Sequence, residues 1–234
     1  MAKVDADVRF SVPLYSQAEA ARYVDMPAST FRTWTQGYQR PAGRSEPLIT
    51  YIHTRRSAEP SVPFIGLAEA VFLSALRKAG VPLQQLRPAL MLVRDRLGVS
   101  HALASRRLYL AGAQLLWEVS EAGDLDPDAR RALIVLRDGQ YVFREVVERY
   151  LRRIEYASDG YASRVELPGY EVARVFADPE INFGLPFFRD TGTPMSAVLS
   201  RLRAGESVAS VADDFSLPQD EVTEVADRAE LLQP

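Results

Sequence analysis

The residues that most often carry catalysis or bind metals are scarce in this sequence of 234 residues. It has no cysteine and two histidines, His53 and His101, which lie far apart without a pattern of acidic residues beside them. Thiolate metal sites and disulfides are therefore excluded, and neither a zinc or iron site nor a histidine-based triad is expected. An Asp-x-Asp-x-Asp run starting at Asp124 imitates the opening of a calcium loop, but its sixth residue is not Gly and its twelfth is not Glu. The sequence predicts a protein that is not an enzyme, with no catalytic residues, no metal and no cofactor.

The charged residues are distributed unevenly, which favours binding as the function. From Ser29 to Ser57, five arginines and one glutamate give a formal charge of +4. From Asp178 to Pro234, eleven acidic residues and four arginines give −7. Opposite signs predict two different partners, a polyanion for the first segment and a basic or neutral surface for the second. The alternative, chance variation among solvated faces, stays open on charge alone.

The elements around the positive segment indicate a helix-turn-helix. Ser16 is a suitable cap for a short helix, and Glu19 completes a capping box. Pro27 then precedes a second helix over residues 28–36, in which Phe31 and Trp34 are expected to face inward. Small and polar residues are left pointing out from this second helix: Ser29, Thr30, Arg32 and Thr33. The same spacing also occurs in proteins that never touch DNA.

A wing is predicted directly after these two helices. A loop rich in Pro, Gly and Arg covers residues 39–47, and a strand is expected over residues 48–52. A second basic loop follows over residues 54–63. The arginines of the two loops are expected on the phosphate backbone, where they raise affinity without selecting bases: Arg40, Arg44, Arg55 and Arg56.

Two helices and a change of character follow the wing. The first helix has an inward face of Leu67, Val71, Phe72 and Leu76, and the second has a continuous apolar seam over residues 83–97. Such a seam is typical of a core or a dimer contact. Further along, β-hairpins are predicted over residues 107–119 and 133–143, then an amphipathic helix to Ile154 and a ribbon over 154–167 that turns at Asp159-Gly160.

The last segment is predicted to form an irregular loop over residues 176–194 and three helices at about 196–204, 207–215 and 218–231. The last two have helix-turn-helix spacing, but the final helix is so acidic that phosphate would repel it, so it is a structural or protein-facing element. The predicted fold class is mainly α with small antiparallel β-ribbons, a winged helix-turn-helix at the N-terminus and a helix-turn-helix-like three-helix domain at the C-terminus. We expect domains at residues 1–98, 99–168 and 169–234, with the middle region as a candidate for dimerisation.

Two stretches resemble known families. The first is YSQAEAARYVDMPASTFRTWT with the later AVFLSALRKAGVPLQQLRPAL, which resembles the winged domains of MerR-type and excisionase-like proteins. That resemblance implies that the second helix of the motif enters the major groove while the wing lies on the DNA backbone. It places four residues near bases, Ser29, Thr30, Arg32 and Thr33, and four near phosphates, Arg40, Arg44, Arg55 and Arg56. The chain departs from MerR regulators after Gly98, where their long dimerisation helix and effector site would follow.

The second stretch covers about 50 residues, from ADPEINFGLPFFRDTGTP to RLRAGESVASVADDFSLPQDEV. It is similar to a widespread bacterial antitoxin family described as a domain of unknown function. The positions that match its pattern are Pro179, Ile181, Gly184, Pro186, Phe188, Thr191, Gly205, Glu206, Ser207 and Phe215. Where the family has Gly, Arg and Ile around the threonine, this chain has Asp190, Gly192 and Thr193, so no role of that arginine is carried over. Together the two stretches resemble the longer VapB-type antitoxins of actinobacteria.

The function expected from these resemblances is that of an antitoxin in a type II toxin–antitoxin pair. It would repress its own operon at promoter DNA and neutralise a PIN-like, VapC-type ribonuclease whose carboxylates hold Mg²⁺ or Mn²⁺. The candidates for toxin contact are Phe187, Phe188, Arg189, Arg201 and Arg203. We expect a homodimer in the cytoplasm, without a membrane segment. The alternatives are a stand-alone MerR-like transcription regulator with a small-molecule site in its middle domain, and an excisionase or other architectural DNA-binding protein.

Overall fold

The structure is a computed structural model that describes residues 7–37, 39–40, 43–54, 59–78, 90–91, 94–95, 98–108 and 152–230. The chain divides into two units, residues 1–163 and residues 164–234. Helices predominate and the strands are short and antiparallel, which confirms the predicted fold class. The predicted boundaries at residues 98 and 168 stay a prediction, since residues 109–151 lie outside the described ranges.

The first unit surrounds one central helix. In chain order its N-terminal elements are α1 (Val8–Ser11), β1 (Pro13–Tyr15), α2 (Gln17–Tyr23), α3 (Ala28–Gln36), β2 (Gln39–Arg40), β3 (Gly43–Arg44), β4 (Val62–Pro63) and α4 (Phe64–Lys78). Strand β1 pairs with β4, and β2 pairs with β3. Nearly every side chain of α4 up to Leu76 is buried, including the four predicted to face inward. A helix that is apolar on all sides belongs in the centre of a domain, and here α1, α2, β1 and β4 pack around it.

The predicted strand over residues 48–52 is wrong. Leu48 and Ile49 are buried, and both backbone N–H groups donate to the carbonyl oxygen of Trp34 at the end of α3. The Thr50 N–H donates to the buried carboxylate of Glu69 on α4, at 2.6 Å. The donors of Leu48, Ile49 and Thr50 are thus taken by a helix end and a side chain. The Ile52 N–H donates to Ser61 O at 2.7 Å, which is one isolated bond of this segment to a neighbouring one and makes no ladder.

The rest of the first unit is described in part. A 3₁₀ turn covers Ala102–Ala104, and residues 106–108 are helical where a strand was predicted to begin at 107. The ribbon predicted over 154–167 is confirmed by β5 (Ile154–Tyr156) and β6 (Ala162–Glu166), joined by a turn at Gly160 with φ 84°. The rest of the first predicted hairpin, all of the second and most of the 83–97 seam lie outside the described residues, although Leu90 within the seam is buried.

The second unit packs three helices on a small sheet. After β6 come β7 (Val175–Ala177), β8 (Phe187–Phe188), α5 (Met195–Arg203), α6 (Val208–Phe215) and α7 (Gln219–Glu230). The three predicted helices are confirmed to within two residues at their ends, whereas β7 and β8 extend into the loop predicted as irregular. Strand β7 pairs antiparallel with β6 and with β8. Within the described residues of the chain, no helix is long and apolar enough to span a bilayer.

Candidate nucleic-acid interface and partner-binding unit

The turn between α2 and α3 is defined by specific hydrogen bonds. The predicted capping box at the start of α2 is present, because Ser16 N donates to the Glu19 carboxylate at 2.9 Å and Glu19 N donates to Ser16 Oγ at 3.2 Å. At the other end, Asp25 is left-handed with φ 53°, and Met26 N donates to Ala21 O at 2.8 Å. This last bond is the one that closes a Schellman motif, so the chain leaves α2 in a fixed direction.

Helix α3 then presents a polar face to solvent. Phe31 and Trp34 are buried as predicted, and they fix the rotation of α3 about its axis. Ser29 and Arg32 are exposed on the opposite face, while Thr30 and Thr33 beside them are half-buried. The Thr33 hydroxyl donates to Ser29 O at 2.9 Å, which leaves its oxygen as an acceptor toward a partner. The structure therefore brings these four predicted residues together on one helix.

A groove of about 490 Å³ runs beside this face. Ser29, Arg32 and Gln36 of α3 form one wall, and the irregular segment from Tyr51 to Thr54 forms the other. In that segment the Tyr51 hydroxyl lies 2.7 Å from His53 Nε2, so the two side chains support each other. Sequence reasoning missed these wall residues, because the sequence predicts a strand over residues 48–52 and a basic loop from Thr54 onward.

The ribbon next to α3 differs from the predicted wing. It consists of β2 and β3, in which Gln39 pairs with Arg44 and Arg40 pairs with Gly43. The predicted loop of residues 39–47 is thus the ribbon itself, and two of the four predicted phosphate contacts, Arg40 and Arg44, belong to its strands. The other two, Arg55 and Arg56, lie outside the described residues.

Two neighbouring carboxylates of α7 hold the loop before β7. Glu224 Oε1 accepts from Glu171 N at 2.7 Å, and Glu224 Oε2 accepts from Val172 N at 2.9 Å and Ala173 N at 2.7 Å. Burial acts to raise the pKa of Glu224, but the three backbone donors outweigh it and the pKa is lowered. Burial also raises the pKa of Glu221, and there it prevails, because that carboxylate accepts a single long bond from Arg174 N, at 3.3 Å.

The five residues predicted to contact a toxin occupy different environments. Phe187 and Phe188 form β8 and are 4% and 1% exposed, so they belong to the core of the second unit and offer no surface to a partner. Arg201 is bound to Glu206 and Asp214 and lies over the ring of Phe215. This arginine lowers the pKa of Glu206 by hydrogen bonding. The two remaining candidates are exposed: Arg189, whose guanidinium lies 5.3 Å from the ring centre of Phe176, and Arg203 at the end of α5.

Sequence reasoning missed the most exposed aromatic side chain in the described part of the chain. Phe183 is 86% exposed, in a 3₁₀ turn between β7 and β8. Nearby in sequence, the apolar Leu185 is 41% exposed. In the apolar run from Phe183 to Phe188, composition alone does not tell which rings enter the core. The run lacks the regular spacing of apolar residues that marks the buried face of a helix or a strand.

Comparison with known proteins finds one family match in each unit and relatives that cover nearly the whole chain. Residues 13–90 match a family described as "Putative DNA-binding HTH domain", and residues 175–227 match "Protein of unknown function (DUF433)". Over 231 residues the chain is 42% identical to "Putative antitoxin VapB45" of Mycobacterium tuberculosis, covering 95% of this chain and 96% of that protein. It is 27% identical to "Uncharacterized protein Rv2308" of the same organism, covering 92% and 89%. The crystal structure of Rv2018 from Mycobacterium tuberculosis matches with a TM-score of 0.76 and 40% identity, covering 94% of this chain and 99% of that chain.

Proposed function

The chain belongs to the VapB45 family, and from this premise we propose that it is the antitoxin of a type II toxin–antitoxin pair. Its first unit binds the promoter of its own operon, and its second unit binds and neutralises the toxin. The observation that carries the proposal is the pairing of two helix-turn-helix-like motifs of opposite charge in one chain: α2–α3 in the positive segment and α6–α7 in the negative one.

Promoter binding is supported by the face of α3. An α-helix with its side chains is about 10 to 12 Å across, which matches the major-groove width of about 12 Å, and α3 is nine residues long. Arg32 is exposed at the middle of α3 and is suited to a bidentate contact with guanine. Four arginines follow α3 in the chain. Two are on the ribbon and two come after it, and their positive charges are suited to the phosphates beside the groove: Arg40, Arg44, Arg55 and Arg56.

Toxin binding is supported by the chemistry of the second unit. Phosphate would repel a segment of charge −7, whereas a ribonuclease that binds RNA presents a basic surface. We propose a PIN-like ribonuclease as the toxin, with Arg189 or Arg203 offered to its metal-binding carboxylates. Both arginines are exposed, and neither is held in an ion pair among those described. In this role the chain acts by binding and occlusion without catalysis.

The DNA arm is tested by gel-shift titration at several salt concentrations. We expect the double change Arg55→Ala and Arg56→Ala to weaken binding to all sequences and to flatten the salt dependence by about one to two counterions. Arg32→Ala is expected to relax sequence preference instead. Arg203→Ala, an exposed arginine of the second unit, is the matched control and leaves both properties unchanged. An unchanged slope in the double variant would remove residues 55 and 56 from the interface.

The toxin arm is tested by truncation and co-expression. A cut at Gly169 would leave Val165 and Leu167 without the strand β7 that covers them, so the chain is better ended after Ser163. We expect the shortened chain to bind operator DNA and to fail to rescue cells that express the toxin. If it still captures and silences the toxin, the second unit is not the neutralising element.

A two-fold operator would require a dimer. We propose that the dimer contact lies in the middle region or in the seam of residues 83–97. Light scattering of the free chain at micromolar concentration is expected to give twice the chain mass of 26.1 kDa. A clean monomer without DNA or toxin would remove this part of the proposal.

One observation favours the second candidate function, a transcription regulator that senses a small molecule. A cavity of about 660 Å³ in the first unit is lined by Thr50, Glu69, Leu90, Arg94 and His101, among others. Pockets of this size with a few convergent polar groups hold small ligands. Under this alternative, DNA affinity responds to a metabolite and the neighbouring gene encodes no PIN-like protein. Under the antitoxin proposal that gene is present, and its product alone changes promoter occupancy.

A further inference from the structure

Phe183 is unusual in two respects: its side chain is exposed, and its backbone is strained. Single exposed apolar residues are ordinary in soluble proteins, so exposure alone would mean little. Here Asn182, Phe183 and Gly184 are successively left-handed, with φ of 49°, 55° and 80°. Asn and Gly adopt this conformation readily, but an aromatic residue seldom does. Strain of this kind persists only where the surroundings enforce it.

The surroundings of Phe183 are fixed on both sides of the turn. On the N-terminal side, the buried carboxylate of Asp178 accepts from Arg164 Nε at 3.0 Å and from Glu180 N at 2.9 Å. On the C-terminal side, Phe187 and Phe188 are buried in β8.

The turn itself is closed by two backbone bonds. Gly184 N donates to Ile181 O at 2.9 Å, and Leu185 N donates to Asn182 O at 3.0 Å. The ring is therefore held out in solvent by a rigid loop. A partner that binds it has little conformational entropy to remove.

We infer that Phe183, with Leu185 beside it, is the anchor through which the second unit binds its toxin, by insertion into an apolar pocket that has a basic rim. The inference rests on the proposed function and adds the residue and the chemistry of the contact. Aromatic side chains in this setting are the usual centres of protein interfaces, surrounded by weaker polar contacts. The rim is basic because the anchor is carried by a segment of charge −7, with exposed Glu180 only three residues away.

Charge also decides against the other occupants of this surface. A second copy of the chain would bring two segments of charge −7 together, and like charges across an interface are costly. A nucleic acid would be repelled for the same reason. A protein with a positive surface remains, and the toxin of the proposed pair is the partner with that chemistry.

The experiment uses the full chain and a catalytically inactive form of the PIN-like toxin encoded beside it. In Phe183→Asn, the ring is lost but the new residue accepts the left-handed backbone. We expect the melting temperature to stay unchanged or to rise, while the Kd for the toxin increases about thirtyfold or more, equivalent to about 2 kcal/mol. Val8→Ala, which removes an exposed apolar side chain from α1, is the control and leaves the Kd unchanged.

Each other outcome has a separate meaning. If the wild-type chain binds the toxin, the chain ended at Ser163 does not, and Phe183→Asn binds as wild type, the proposed function stands and the anchor is refuted. If Phe183→Asn loses toxin binding together with a lowered melting temperature, the ring is a structural element and the anchor is also refuted. A variant that turns a dimer into a monomer at unchanged Kd assigns the surface to a second copy. A wild-type chain that does not bind the toxin overturns both proposals.

Discussion

Glu224 is the side chain whose replacement tests the second unit most directly. Its two oxygens accept three backbone N–H groups from consecutive residues of the loop before β7. In Glu224→Gln the amide keeps the shape of the carboxylate but has one oxygen, which can accept two of the three donors. The NH₂ group then faces the third donor, so that bond is lost and the loop loses a negative charge that all three donors were directed at.

The magnitude follows from the number and type of these bonds. When the charged carboxylate is replaced by a neutral amide oxygen, each of the two retained hydrogen bonds contributes about 1 kcal/mol less to the free energy of unfolding. The lost third bond removes about the same amount. Glu224 is half-buried, so water restores part of this, and we expect a net loss of about 1 to 2 kcal/mol. For a cooperative unit of about 70 residues, the melting temperature falls by roughly 5 to 15 °C.

Glu221→Gln is the matched control, one turn earlier on α7. Its carboxylate makes one long bond to Arg174 N, and burial raises its pKa, so its ionised form is disfavoured in the folded state. Loss of that charge is therefore expected to leave stability near neutral pH unchanged or slightly higher. The same chemical substitution thus has opposite expected signs at two adjacent turns.

The pH dependence separates the two carboxylates further. The lowered pKa of Glu224 gives stability that is present above its ordinary value of 4.5 and is lost as the pH falls through the folded-state pKa. The raised pKa of Glu221 has the reverse effect, because the folded state loses stability as the pH rises from 4.5 through the higher value. The difference in free energy of unfolding between wild type and Glu224→Gln should therefore shrink as the pH falls below 4.5.

Calorimetry of the full chain measures the global effect, and amide hydrogen exchange measures the local one. In Glu224→Gln, exchange of the amides of residues 171–173 should accelerate about five- to thirtyfold near neutral pH. The same amides in Glu221→Gln should exchange as in wild type. Equal exchange in both variants, or a gap that widens in acid, would refute the role of Glu224 as the acceptor that holds this loop.

Three further changes test other parts of the structure. Gly66→Ala places a Cβ 2.2 Å from Thr50 O, so α4 must move away from residues 48–52; a loss of about 1 to 3 kcal/mol is expected in urea denaturation. Gly37→Ala combines φ of 70° with a Cβ 2.0 Å from Ser45 O, which should displace the ribbon after α3 and weaken operator binding in gel shifts. Arg201→Ala removes the shared partner of two carboxylates, and the melting temperature should fall at low salt and much less at high salt.

The parts of the fold that the sequence predicts well are those with local causes. The capping box at Ser16 and Glu19, the break before Pro27 and the inward pair Phe31 and Trp34 depend on neighbouring residues, so they follow from spacing. The three C-terminal helices are also separated by local signals, a Gly and a Leu-Pro pair. The resemblance to VapB-type antitoxins, carried by such motifs, is confirmed by 42% identity over 95% of the chain.

The errors have a common cause in contacts between residues distant in sequence. The segment of residues 48–52 has the composition of a strand, but Glu69, nineteen residues away from Thr50, takes its backbone donor. Phe187 and Phe188 are predicted to contact the toxin, yet β8 pairs with β7 and both rings lie in the core.

The two helix-turn-helix-like motifs share one geometry but differ in the charge at the start of their second helices. Helix α3 has Pro27 at its N-cap, without a side-chain cap and without an acidic residue in its first turn, so the positive end of its dipole is not occupied by a charge of its own. Helix α7 has Asp220 and Glu221 in its first turn, which occupy that positive end with their own charge. Because Glu224 also holds the loop before β7 through three backbone N–H groups, part of the acidity of α7 is a requirement of the fold. Charge reversal on α7 is therefore not expected to create a second DNA-binding motif, because removing the Glu224 carboxylate releases the loop first.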